Sequence, residues 1–242
     1  HKTLGQLFCD NSAQDIVDIL MTECEWAGVN VHLRSEVLSV EKTDNGYIVI
    51  TNEKTYQCEA LVIAAGGLTM PKLGATPIGY KIAEQFGLNV LPTCAALVPF
   101  TLHEHDKQRF DGLSGISVDC LVNAEDGTSF RENILFTHRG LSGPAILQIS
   151  SFWQAGQYIH INLLPDTPVT EQIQTWREES PQKALKNCLS TLLPKRLVEV
   201  MATENTIPDK AINQLTHAEI NALAQYLHHW QIKPNGTEGY RT

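Results

Sequence analysis

Two stretches of this sequence carry residue types whose spacing could do chemistry. In His138-Arg139-Gly140-Leu141-Ser142-Gly143-Pro144, an imidazole stands beside a guanidinium, where an alternating apolar pattern gives way to a helical one. Free backbone N–H groups at such a helix start attract an anion, Arg139 can hold a planar carbonyl or phosphate, and His138 can move a proton. The competing reading of the same residues is a capped turn with a solvated arginine. The second stretch is Ala60-Leu61-Val62-Ile63-Ala64-Ala65, a continuous apolar run that suits a strand buried on both faces and ends in Gly66-Gly67. Glycines there let a ligand approach the backbone, as dinucleotide sites require, although most Gly-Gly pairs are plain turns.

Other chemistries fit less well. Gly140-Leu141-Ser142-Gly143 lacks the final glycine of a serine nucleophile elbow, because position 144 is proline. No metal site is expected: His103-Glu104-His105 and His228-His229 lack further clustered ligands, and the six cysteines contain no C-x-x-C. Most of those cysteines are expected to be small core hydrophobes. Asn235-Gly236-Thr237 has a glycosylation spacing but reads as a turn. Lys183, Lys186, Lys195 and Arg196 could form a basic face, with a solvated helix surface as the favoured reading.

The elements that position these residues follow from periodicity. The spacing predicts a helix over 12–27, opened by Ser12-Ala13-Gln14-Asp15 in the manner of a capping box with Asp for Glu. Strands are expected at 29–33, 37–41, 47–51 and 55–58, the last three as an antiparallel meander, followed by the buried strand 60–65. A helix over 78–86 precedes a β-rich stretch with strands at 95–102, 116–122 and 128–133, the last two joined at Asp126-Gly127. A turn and helix over 140–153 and a strand at 158–164 follow. Beyond Pro165 the pattern turns helical, at 169–179, 182–193, 195–203 and 216–230, the last with the capping box Thr216-His217-Ala218-Glu219.

With 242 residues, 43% hydrophobic and 19% charged, the chain can build a core, and disorder is excluded. A net charge of −9 argues against a surface made mainly to hold phosphate backbones, though a local basic patch stays open. No run reaches membrane-span length and no signal-peptide pattern opens the chain, so a cytoplasmic protein is expected. A start at His1 and an end just after a Gly-rich turn suggest a piece of a longer polypeptide.

The order of helix, strand, meander and Ala64-Ala65-Gly66-Gly67 resembles the middle of a two-dinucleotide-binding flavoprotein. More closely, Ala64-Ala65-Gly66-Gly67-Leu68-Thr69-Met70-Pro71, Leu97-Val98-Pro99-Phe100, Leu135 to Pro144 and Pro234-Asn235-Gly236-Thr237-Glu238-Gly239-Tyr240 are similar to the bacterial YhiN/BaiN-like flavoprotein family. The resemblance implies an α/β, Rossmann-like fold: a remnant of a discontinuous FAD-binding domain with an inserted β-rich, barrel-like domain and a helical domain. The implied divisions are 1–93 for the FAD-domain remnant with its meander, 94–166 for the β-rich substrate domain, 167–230 for the helical domain, and 231–242 for the return to the FAD domain.

The same resemblance implies FAD as cofactor, held in part by Val37, Ala65, Gly66, Gly67, Pro71, Gly74 and Gly79, with His138 and Arg139 catalytic and NAD(P)H as a candidate electron donor. Both the family's N-terminal G-x-G-x-x-G finger and its later Gly-rich FAD segment are missing from this sequence. The finger is the main grip on the pyrophosphate, so the chain alone is expected to bind FAD weakly or not at all. The implied activity is an oxidoreductase that reduces a carbonyl-conjugated C=C bond, with uridine of ribosomal RNA as substrate. A small-molecule enone reductase, an amine oxidase and a non-catalytic binding module are the alternatives.

Overall fold

A computed structural model describes residue 5 and residues 7–241. The architecture is mixed α/β, and the chain divides into two compact units, His1–Ala64 and Ala65–Thr242.

In the first unit, helix α1 spans Gln14–Trp26. Ser12 Oγ accepts from the Gln14 N–H at 3.1 Å and the Asp15 carboxylate accepts from the Ser12 N–H at 3.4 Å, but the Asp15 N–H donates to the Ser12 carbonyl at 3.1 Å, so the expected reciprocal box is not completed and Ala13 caps the helix without a side-chain bond. The helix stops at Gly28, whose φ of +69° suits a residue without Cβ. Strands β1 (Val37–Thr43), β2 (Gly46–Thr51) and β3 (Thr55–Cys58) form the expected antiparallel meander in the order β1-β2-β3.

Two expected strands do not form. Residues 29–33 and 60–65 are irregular, and Val62 is 86% exposed. A strand exists by its ladder, and among the described residues nothing pairs with either segment.

The second unit is built on one antiparallel sheet of 7 strands in the order β10-β4-β7-β6-β5-β8-β9. Its strands are β4 (Phe100–Thr101), β5 (Ser117–Asn123), β6 (Ser129–Phe136), β7 (Gly140–Ser142), β8 (Ile159–Asn162), β9 (Trp230–Ile232) and β10 (Gly236–Thr237). Alternation works as the sequence requires: Val118, Cys120 and Val122 of β5 are buried, while Ser117 and Asp119 face water. The expected strand at 95–102 shrinks to β4, and the first residues of the turn-and-helix segment 140–153 become β7. Helix α4 (Pro144–Ile149) follows, with proline at its first position and Ala145, Ile146 and Ile149 buried.

Helices α2 (Ile78–Gln85) and α3 (Glu104–Arg109) flank these strands in sequence. The α5 (Val169–Glu179), α6 (Leu185–Leu189), α7 (Lys195–Thr203) and α8 (His217–His228) helices add Ile173, Leu185, Leu197 and Leu223 to the buried cluster that also contains the inner face of the sheet. Of the six cysteines only Cys120 and Cys188 are buried, fewer than expected. Burial pushes the Cys120 thiol up to about 12, which keeps it a neutral hydrophobe.

The α8 cap is the capping box that the sequence announced. Thr216 Oγ1 accepts from the Glu219 N–H at 3.3 Å, and the Glu219 carboxylate accepts from the Thr216 N–H at 2.9 Å and from Lys210 Nζ at 2.6 Å. Lys210 foremost, then the Thr216 donors, hold the Glu219 carboxyl down at about 2, from an ordinary 4.5. A depressed carboxylate pKa means that its stabilisation is complete above about 4.5 and is lost as pH falls toward about 2. Thr216→Ala is expected to cost about 1 kcal/mol, read as a lower urea midpoint at neutral pH. The loss of stability of the unsubstituted protein over that acid window should be smaller in the variant; an equal loss in both would show that the cap does not carry it.

Candidate functional site

The site begins with a short hairpin between β6 and β7. Thr137 closes it: its N–H donates to the Gly140 carbonyl at 2.8 Å, its carbonyl accepts from the Gly140 N–H at 3.2 Å, and its Oγ1 accepts from the Arg139 N–H at 3.3 Å. His138 and Arg139 are the two residues at the tip, and both are exposed. The Arg139 carbonyl accepts from the Leu102 N–H at 3.1 Å, which ties the tip to the end of β4.

Glycine is required at the base of this hairpin. A Cβ on Gly140 would stand 2.3 Å from the Phe100 carbonyl oxygen, and one on Gly143 would stand 2.7 Å from the Asn133 carbonyl oxygen. The glycines of the 138–144 stretch therefore serve strand packing, and they place the arginine as a consequence.

The third contributor comes from the far end of the chain. Gly236 and Thr237 of β10 pair with Thr101 and Phe100, and the Glu238 N–H donates to the Pro99 carbonyl at 3.0 Å. This fixes the Glu238 carboxylate 3.1 Å from Arg139 Nη1, with the glutamate side chain 10% exposed and the arginine 55% exposed. Both line an opening of about 380 Å³, together with Pro99, Gly115, His138 and Ser142. The sequence assigns no site role to Glu238 or Thr137, which lie within the stretches that carry the family resemblance. The signal for Glu238 was an acid inside the Gly-rich turn of 234–240, but only the strand pairing shows which cation it meets.

The remaining predicted site residues lie elsewhere. Val37 opens β1 in the first unit, half-buried and opposite Thr51, at the edge of a register shift. In the second unit Ala65, Gly66, Gly67, Pro71 and Gly74 are exposed, and Gly79 is half-buried in α2. None of these second-unit residues lines the Arg139 opening. Gly66 has φ +70° and Gly74 φ +94°, and no atom stands within 4 Å of a Cβ built on either, so a flat ligand has room against that backbone.

On the helical side, Lys186 and Lys195 face Asp209 and Glu199 at 3.5 and 3.8 Å, and Arg196 donates to the Gly112 carbonyl. His228 Nδ1 sits 3.0 Å from Asn162 Oδ1, and burial first, then the neighbouring His229, lowers its pKa. Among the described residues no group of three His, Cys, Asp or Glu side chains gathers as a metal site. No helix there is long and apolar enough to cross a membrane.

Comparison with known proteins adds the following. Residues 11–86 match the family described as pyridine nucleotide-disulphide oxidoreductase. The chain is 57% identical over 241 residues to the ribosomal RNA dihydrouridine synthase of Escherichia coli (strain K12), covering 100% of this chain and 60% of that protein. It is 47% identical over 245 residues to the Haemophilus influenzae protein of the same name, covering 100% of this chain and 61% of that protein. A 3-dehydro-bile acid delta(4,6)-reductase of Clostridium scindens is 22% identical over 201 residues, 78% of this chain and 48% of that protein. The chain thus spans about three-fifths of the length of the first two relatives. Residues 94–242, which hold the whole Arg139–Glu238 site, match the HI0933-like protein barrel and H2TH domain, and the chain belongs to that HI0933-like family.

Proposed function

We propose that the complete polypeptide carrying this chain is a cytoplasmic, FAD-dependent oxidoreductase that reduces uridine of ribosomal RNA to dihydrouridine, with NAD(P)H as electron donor. The observation that carries this reading is the 57% identity, across the entire chain, to a relative named for that reaction. The domain division at 93/94, 166/167 and 230/231 is part of the same proposal, with the β-rich and helical portions presenting substrate to the flavin.

Residues Ala65, Gly66, Gly67, Pro71 and Gly74 fit a flavin in one respect: their exposed backbone and the open space at Gly66 and Gly74 admit a flat ring. Val37 and Gly79 are assigned to the same cofactor by family resemblance. When bound, reduced FAD supplies the hydride that such a reduction needs.

The chain's own residues then have these tasks. Hydride addition at C6 of the uracil ring leaves negative charge spread from C5 onto the C4 carbonyl oxygen. Arg139, pre-placed by the Thr137 turn and by Glu238, donates to that oxygen as the charge develops. His138 at the same tip delivers the proton to C5, which completes the addition of two hydrogens across the C5=C6 bond. A net charge of −9 means that contact with RNA depends on local cations rather than on overall charge.

Purified complete polypeptide, incubated with FAD, NADPH and unmodified ribosomal RNA, is expected to add two hydrogens to a uridine, read by mass spectrometry of the digested RNA. Arg139→Ala should lower the rate by about a hundredfold at saturating FAD. Unchanged turnover in that variant would remove Arg139 from the site. Reduction of a steroid enone with none of RNA would favour the small-molecule reading, the class named by the 22% relative.

A further inference from the structure

Arg139 and Glu238 differ from an ordinary surface ion pair in how firmly their backbones are held. Arg139 sits at the tip of a turn bonded three ways to Thr137, with its carbonyl tied to Leu102. Glu238 follows β10 directly and is tied to Pro99. Only Nη1 of the guanidinium is committed to the glutamate, so the arginine presents further N–H donors to the same opening. The result is a fixed donor beside a fixed acceptor, facing an opening with few other charged groups.

One small chemical surface is complementary to that arrangement. The imide edge of a pyrimidine-dione ring has a ring N–H between two carbonyl oxygens, so a carboxylate can accept the N–H while an adjacent guanidinium donates to a carbonyl. The cytosine ring presents an acceptor nitrogen beside an amino donor, which sets lone pair against carboxylate and N–H against guanidinium. We infer that Arg139 and Glu238 together form a recognition pair for a pyrimidine-dione imide edge, Glu238 accepting the ring N3–H and Arg139 donating to the neighbouring carbonyl. The inference rests on the proposed function for its setting, because uridine and the flavin ring both carry this edge and both belong to that reading.

The test uses the complete polypeptide and measures affinity, so it is decided whether or not uridine is reduced. In one arm, a short RNA hairpin containing a single uridine is compared with the same hairpin containing N3-methyluridine; in the other, FAD is compared with N3-methyl-FAD on the apoprotein. Blocking N3–H should weaken binding about tenfold or more in one of the arms, and the arm that responds identifies the ring. In Glu238→Ala the two members of that pair should bind within about twofold of each other, since the group that sensed the N–H is gone. Equal affinities in both arms with unsubstituted protein would overturn the inference without any variant. A methyl penalty that persists undiminished in Glu238→Ala would overturn it too, by assigning the sensing to another group. Uridine reduction, followed separately, judges the proposed function alone.

Discussion

Purified beside the complete polypeptide and treated with the same FAD, residues 1–242 alone are expected to elute without a flavin spectrum, while the complete polypeptide elutes yellow. An affinity difference of at least about a hundredfold is expected, equivalent to about 2.7 kcal/mol. The reason is the distribution of grips. The glycine turn at 65–67 and Gly74 offer room for a ring, but the sequence has no G-x-G-x-x-G finger to bring helix-terminal amides to a pyrophosphate.

The structure adds a second reason. Helix α1 has no buried residue: Ile19, Leu20 and Trp26 are 58%, 61% and 78% exposed, and Val62 stands open in an apolar run without a partner strand. An apolar helix face and an unpaired apolar segment are surfaces that a Rossmann-like half-domain covers with further strands and helices. Gly66→Val in the complete polypeptide should reduce flavin content. A Cβ there meets no neighbour, so the effect would come from a β-branched residue forced to φ +70° and from bulk against the ring. Stoichiometric FAD on the 242-residue chain would refute the account, and so would full flavin content in Gly66→Val for that residue.

What could be read from the sequence was whatever is encoded locally. Thr216 and Glu219 announced their cap because both partners lie within one helical turn, and Asp126-Gly127 announced the β5–β6 hairpin because the turn chemistry is contiguous. The apolar run 60–65 misled for the opposite reason. Its residues specify a buried strand, but pairing is decided by neighbours, and among the described residues none is provided. Local spacing makes 140–142 part of a turn into a helix, whereas Leu141 and Gly140 pair with Phe100 and Thr101 some forty positions earlier. The Glu238 partner of Arg139 is 99 residues away and becomes visible only through the β10–β4 ladder. His138 and Arg139 are legible as residue types in a suggestive order; the acceptor that completes them is tertiary.

The same ladder makes Gly140 the most sensitive backbone position around the site. Gly140→Ala puts a Cβ 2.3 Å from the Phe100 carbonyl oxygen and 3.0 Å from the Leu102 N–H nitrogen, both backbone atoms that cannot rotate away. Either β4 and β7 separate, losing their Phe100–Leu141 pairing, or the hairpin shifts. A loss of roughly 3 kcal/mol is expected, read as a lower urea midpoint in the complete polypeptide. Gly127→Ala is the control: its φ is +89°, with nothing within 4 Å of the new Cβ, so it should cost about 1 kcal/mol from backbone strain alone. The functional consequence should exceed the stability loss. Leu102 N–H is the donor that holds the Arg139 carbonyl, so separating the strands displaces the guanidinium from Glu238 and from the opening. A misplacement of about 1 Å in a positioning group can cost on the order of a hundredfold in rate. Measured well below its unfolding midpoint, Gly140→Ala should therefore resemble Arg139→Ala in turnover, whereas Gly127→Ala should resemble the parent. If Gly140→Ala is destabilised but turns over normally, the β4–β7 register does not set the position of Arg139.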